Sequence, residues 1–234
     1  MKKLISFILL LGHHLLVFGQ SDNTFQDHWC GTNIQLQRDL KNDILREKRE
    51  AFLQSFAEQM TENTIHRDFD PSQKIIIPCV FHILHDDGEG NIPDSQIEAQ
   101  IERLNKDFNR LNADTVNTPA PFVEVAGKLN VEFRLAKLDP AGNCTDGIVR
   151  INTDKTNAAN NRNGAKEISY WNSFSYLNFW IVEDIDLRIP NFTTAGYAQF
   201  PCSGQLSTDG IVQRNDVTGS NGRTATHEVG HWLN

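Results

Sequence analysis

Basic residues, cysteines and long apolar runs are all scarce in this chain. It has 22 Lys and Arg against 30 Asp and Glu, four cysteines in 234 residues and a formal net charge of −8. No basic stripe overrules the acidic balance, which excludes a nucleic-acid partner and leaves a solvated acidic surface. Past the first 19 residues no apolar run approaches the about 20 residues of a membrane span. No internal repeat is visible. The 39% hydrophobic and 22% charged composition is that of an ordinary globular protein, with room for one domain plus extras.

What is present begins with a leader. Lys2 and Lys3 precede an apolar run over residues 4–18, and Gly19, with Val17 two before it, offers a small-residue cleavage site. The pattern predicts a signal peptide over residues 1–19 and a secreted, extracellular protein. Residues 20–73 form a charged segment with Cys30-Gly31 near its start. Thr32 and Gln35 have capping-box spacing. Ile34, Leu40, Ile44, Leu45, Phe52 and Phe56 then fall on one broad helical face up to Met60. Residues 61–73 lack periodicity and read as a linker. An exported chain permits disulfides, and Cys30, Cys79, Cys144 and Cys202 allow three connectivities.

Residues 74–234 alternate strands and helices. Residues 74–85, KIIIPCVFHILH, read as a strand buried on both faces, with Pro78 awkward for a central position. His82 and His85 are three apart, hence on opposite faces, and read as structural. A turn at 86–91 precedes a helix opening at Asp94 or Ser95, with Ser95 and Glu98 as a second capping box. Ile97, Ile101, Leu104, Phe108 and Leu111 give that helix one apolar face. Further strands are predicted at 129–136, 148–151, 176–182 and 208–213, with an edge strand over 194–200 around Gly196. Asn143 and Asn191 begin glycosylation sequons. The sum is an α+β domain: a mixed, twisted sheet of about five strands with a backing helix.

The last helix carries the chemistry. In THEVGHWLN, His227 and His231 are four apart and share one helix face, as two ligands of one zinc ion would. Glu228 beside them has the type and place of a general base for an activated water. Ala225, Val229 and Trp232 or Leu233 supply the opposite, apolar face.

Five stretches, in order, resemble the pappalysin (cytophagalysin-like) family of metzincin zinc endopeptidases. They are NIPDSQIEAQIERLNKDFNRLNADTVNT, DPAGNCTDGIVR, YLNFWIV, GYAQFP and GRTATHEVGHWLN. The resemblance implies a secreted zinc metalloendopeptidase acting on peptides or proteins. His227 and His231 would be zinc ligands and Glu228 the catalytic residue. Tyr197, Ala198, Gln199 and Phe200 would form the substrate-binding edge strand. WCGT followed by a charged helix resembles the family's pro-segment, with Cys30 as the inhibitory zinc ligand of a latent form; the alternative for Cys30 is a half-cystine. Asn234 stands where metzincins have Gly. A third His, the methionine turn, the specificity pocket and calcium sites would all lie beyond Asn234. The resemblance therefore implies an N-terminal portion, inactive by itself. Competing readings are a non-catalytic binding module on a protease fold, a zincin of another class with its third ligand past residue 234, and an adhesion domain with a chance HExxH.

Overall fold

The computed structural model describes residues 30–61, 73–157, 164–185, 193–219 and 222–234, with backbone only for 59–61. The expected leader, all but the ends of the 61–73 linker and the first two residues of the Asn191 sequon lie outside the described residues.

The apolar run after the linker becomes β1 (Ile75–His85), the axis of the molecule. Along one edge it pairs in parallel with β2 (Val131–Leu135) and then β3 (Ile148–Asn152). Along the other it pairs in parallel with β4 (Leu177–Val182). Next come β6 (Ile211–Arg214), parallel to β4, and the antiparallel edge strand β5 (Gly196–Ala198). The sheet has six strands, in the order β2-β1-β4-β6-β5 with β3 beside β1. Pro78 is tolerated at the centre for a geometric reason. The amides of Ile75 and Phe81 point toward the β2 and β3 edge. Pro78, at the alternate parity, faces the β4 edge, where pairing begins only at Cys79.

Both sheet faces are covered, as parallel strands require. Alternation along β4 sends Leu177, Phe179 and Ile181 to one core and Trp180 and Val182 to the other. On the first face lie α3 (Asp94–Phe108), through Ile97 and Leu104, and α6 (Thr224–Leu233), through Ala225 and Val229. Phe81 stacks on Phe179 there, centroids 4.5 Å apart. Each such fully buried side chain contributes about 1.5–3 kcal/mol. On the second face, α5 (Gly164–Ile168) and Ile34 of α1 (Thr32–Asp39) close over Trp180 and Tyr197.

Several local expectations are corrected. The pattern from 32 to 60 is two helices, α1 and α2 (Asp43–Thr61). The break follows from Asn42, whose Oδ1 accepts from the amides of Ile44 and Leu45 and so caps a new helix. Ile44 and Phe56 stay 64% and 43% exposed, so the apolar face is not buried along its length. Neither capping box forms: α1 starts after Gly31 and α3 after Pro93, both without a side-chain cap. Leu111 is exposed because α3 ends at Phe108 and Arg110 turns the chain at φ +54°. The loop over 112–121 contains a 3-10 turn (Ala113–Asn117) and the start of α4 (Ala120–Val123). No disulfide forms: all four cysteines are free, and Cys79 lies in the sealed core of β1.

Candidate metal centre

The core fixes the rotation of α6. Ala225 and Val229 are fully buried against the sheet, so His227 and His231, half a turn away, face the open side. A clamp at the first turn fixes its position. Thr226 Oγ1 donates to Asp107 Oδ2 at 2.8 Å, and Arg223 reaches both Asp107, at 3.3 Å, and Asp114. Asp107 also brings a carboxylate to the positive end of a helix that lacks a side-chain cap.

Gly196 lets β5 lie against this helix. A Cβ there would come within 3.1 Å of Thr224 Cγ2 and Val212 O and 3.2 Å of Glu228 Cγ. No larger residue fits without moving the strand away.

The two histidines converge, with Nε2 atoms 3.0 Å apart and ring planes at 86°. Cys30 joins them from the other end of the chain, its Sγ 3.4 Å from His231 Nε2. All three donor atoms lie within 4.8 Å of one another. A tetrahedral ion with Zn–N near 2.0 Å and Zn–S near 2.3 Å needs donors roughly 3.3–3.6 Å apart; the Cys30–His231 spacing of 3.4 Å lies in that range and the histidine pair, at 3.0 Å, is slightly closer than it. Burial and then the charge of His227 lower the pKa of His231, which keeps the ring in its neutral, lone-pair form. Burial raises the Cys30 thiol, and the Glu228 charge raises it further. A coordinated cation would reverse that balance, since a coordinating thiol is deprotonated outright.

Glu228 is fully buried. Burial pushes it up to about 7, against the opposing pull of hydrogen bonds from Thr32 and Cys30. Its Oε2 accepts from Thr32 Oγ1 at 2.8 Å and lies 3.8 Å from Cys30 Sγ, while Oε1 has no hydrogen-bond partner.

Of the expected edge residues, Tyr197 and Ala198 are in β5, while Gln199 and Phe200 lie just past it. The Tyr197 ring is buried in the core of the far face. The Gln199 side chain donates to Gln205 O and accepts from Thr208 Oγ1. The Phe200 ring packs edge-on against His231, centroids 5.2 Å apart. The outer edge of β5 is covered by the chain's own Cys30-Gly31-Thr32, which runs parallel to it. Gly31 N donates to Gly196 O and Ala198 N to Thr32 Oγ1, both at 2.9 Å.

Sequence reasoning missed two residues here. Thr32 has the signature of a helix cap but spends its hydroxyl on β5 and Glu228. Arg49 of α2, 8% exposed, donates to Pro201 O at 2.7 Å and Asn234 Oδ1 at 2.8 Å. Its guanidinium lies over the Phe52 and Phe200 rings. Nothing in one charged helix of many Lys and Arg distinguishes it. Asn234 takes φ +105°, the left-handed side of the map that a glycine would otherwise supply. His82 is structural: buried, stacked on Trp180, with Nε2 3.0 Å from Asn178 Oδ1 and Nδ1 2.9 Å from Ser169 Oγ. His85 accepts from the Asp87 amide through Nδ1.

No family model matches the chain. It is 31% identical over 172 residues to an extracellular metalloprotease of Trichophyton verrucosum (strain HKI 0517), covering 70% of this chain and 52% of that protein. An extracellular metalloprotease of Arthroderma otae (strain ATCC MYA-4605 / CBS 113480) is 29% identical over 170 residues, 70% of this chain and 53% of that one. The chain thus spans about half the length of these curated relatives. Among solved structures, Tannerella forsythia mature mirolysin in complex with a cleaved peptide superposes with a TM-score of 0.63 at 40% identity, over 70% of this chain and 64% of that one. A promirolysin mutant from the same organism superposes with a TM-score of 0.71 at 35% identity, over 88% of this chain and 68% of that one. Sheet, helices and sequence agree with the same protein over most of the length of both, and the chain belongs to the metalloprotease family that contains mirolysin.

Proposed function

We propose that this chain is the pro-segment and the zinc-helix half of a secreted zinc endopeptidase of pappalysin type. The observation that carries the reading is the convergence of His227 and His231 on one helix, with Glu228 buried between that helix and an edge strand, in a chain of a metalloprotease family. Residues 20–73 are the pro-segment in this reading. Residues 74–234 make up under three quarters of the sequence, so a match to promirolysin over 88% of the chain necessarily extends into the first 73 residues.

Each residue has a part. His227 and His231 would hold zinc through their converging Nε2 atoms. Zinc, when bound, supplies a Lewis acid and a water acidified toward neutral pH. Glu228 accepts a proton from the attacking water and returns one to the leaving amine. Burial raises the Glu228 pKa in the covered form, the direction that suits a group which both takes up and returns a proton. The β5 edge aligns an extended peptide by main-chain hydrogen bonds. Cys30, with its Sγ beside His231, would be the third donor of a latent form and would keep water from the metal.

The test has two parts. The 234-residue chain is expected to bind one zinc and to cleave no peptide, and Cys30→Ala is expected to weaken zinc binding tenfold or more in chelator competition, on the order of a lost ligand's effect. In the processed gene product, chelator-sensitive peptide cleavage is expected, and Glu228→Ala should lower it by a factor of about 100 or more. Equal zinc affinity with and without Cys30 would remove the latency role. Chelator-insensitive cleavage, or none, would remove the enzyme reading.

A further inference from the structure

The Cys30–Thr32 segment is held at a second place that metal coordination does not explain. Thr32 is fully buried, and its one hydroxyl does two jobs at once. It donates to Glu228 Oε2 at 2.8 Å and accepts from the Ala198 amide at 2.9 Å. The two groups are opposite in kind: a carboxylate that only accepts and an N–H that only donates. A hydroxyl is the small side-chain group that satisfies both from a single atom. Valine, with the same shape, satisfies neither.

We infer that Glu228 and the Ala198 amide form a hydroxyl-binding subsite at the β5 edge, filled in this chain by Thr32. Cys30 meets the histidines and the main chain of Gly31 meets Gly196 O. Thr32 lies one step deeper, between the strand and the helix. Gly196 makes this possible, because only its missing side chain lets β5 approach Glu228 closely enough for one hydroxyl to span both. Thr32 thereby occupies the carboxylate assigned above as general base and the strand amide assigned to substrate. Its regulatory meaning rests on that assignment, but the binding itself does not.

The experiment uses the full chain with metal removed by a chelator, so that no Cys30–metal bond contributes. The rate at which a thiol reagent labels Cys30 is followed by peptide mass mapping, which separates it from Cys144 and Cys202. Segment release exposes Cys30. Thr32→Val is expected to speed labelling about tenfold or more, as loss of a buried hydrogen bond implies. Thr32→Ser is expected to restore the slow rate. Glu228→Ala is expected to speed labelling too, and Thr32→Val in that background to add much less than it does alone. A Thr32→Val protein that melts like wild type and labels at the wild-type rate overturns the inference, as do effects of the two substitutions that multiply independently. These rates are read without metal or peptide cleavage. A protein that shows the coupling but no peptidase activity would keep the subsite and lose the enzyme reading.

Discussion

At the scale of single residues, histidines with similar sequence surroundings end in opposite chemistry. His227 and His231 sit on a helix face turned away from the core, with their Nε2 atoms converging 3.0 Å apart. His82 sits on a central strand with both nitrogens engaged and the ring sealed. Burial lowers His82 from 6.5 to about 4, and the Asn178 hydrogen bond only partly opposes this. The unfolded chain therefore takes up a proton here before the folded one. The neutral ring contributes stability above pH 6.5 that is lost as the pH falls toward 4, at most about 3 kcal/mol. Glu228, raised to about 7, works the other way in an overlapping window: its contribution is full below 4.5 and lost as the pH rises through 7. The two are separable by comparing wild type with His82→Gln. The variant is expected to lose less stability between pH 6.5 and 5 in denaturant melts, and parallel curves would show that His82 does not titrate as described. The periodicity of a strand marked His82 as structural. Its partners Asn178 and Ser169, 96 and 87 residues away, were not legible.

At the scale of elements, the site is a meeting of one helix with one three-residue strand, and Gly196 sets the spacing. Gly196→Ala places a methyl 3.1 Å from Val212 O, which is backbone and cannot rotate aside. Overpacking of this kind costs about 1–3 kcal/mol. A lowered melting temperature and faster amide exchange in β5 and the first turn of α6 are expected. An unchanged melt would mean that β5 has slack that the contact distances deny. In the sequence, Gly196 marks an edge strand, and that was readable. That the glycine serves the helix opposite was not, because the contact joins residues 28 or more apart.

At the scale of the whole molecule, the first 32 described residues fold onto the remainder as a strap. α1 contributes Ile34 to the far core, Cys30 and Thr32 reach the site, and α2 is fastened by Arg49. Arg49 makes two hydrogen bonds of a planar fork and stacks on two rings, a combination lysine cannot reproduce. Arg49→Lys is therefore expected to behave nearly like Arg49→Ala. Both should raise amide exchange across α2 by roughly tenfold or more, on the scale of about 1.5–3 kcal/mol for a lost charged hydrogen bond. Exchange in α2 that stays at the wild-type level would show that other contacts hold the helix.

The sequence by itself determined whatever depends on neighbours along the chain. Continuous apolar runs placed β1 and β4, helical periodicity placed α3 and α6, and the four-residue spacing of His227 and His231 put two donors on one face. Those signals are local, and local backbone geometry fixes them. The tertiary structure decided what depends on distant segments meeting: the pairing of β3 beside β1, free cysteines in place of disulfides, and Thr32 turned from a helix cap into a partner of Glu228. Such contacts follow from which surfaces remain to be covered once the sheet has formed. No spacing along a single chain encodes that a hydroxyl at position 32 and a carboxylate at position 228 will be buried 2.8 Å apart.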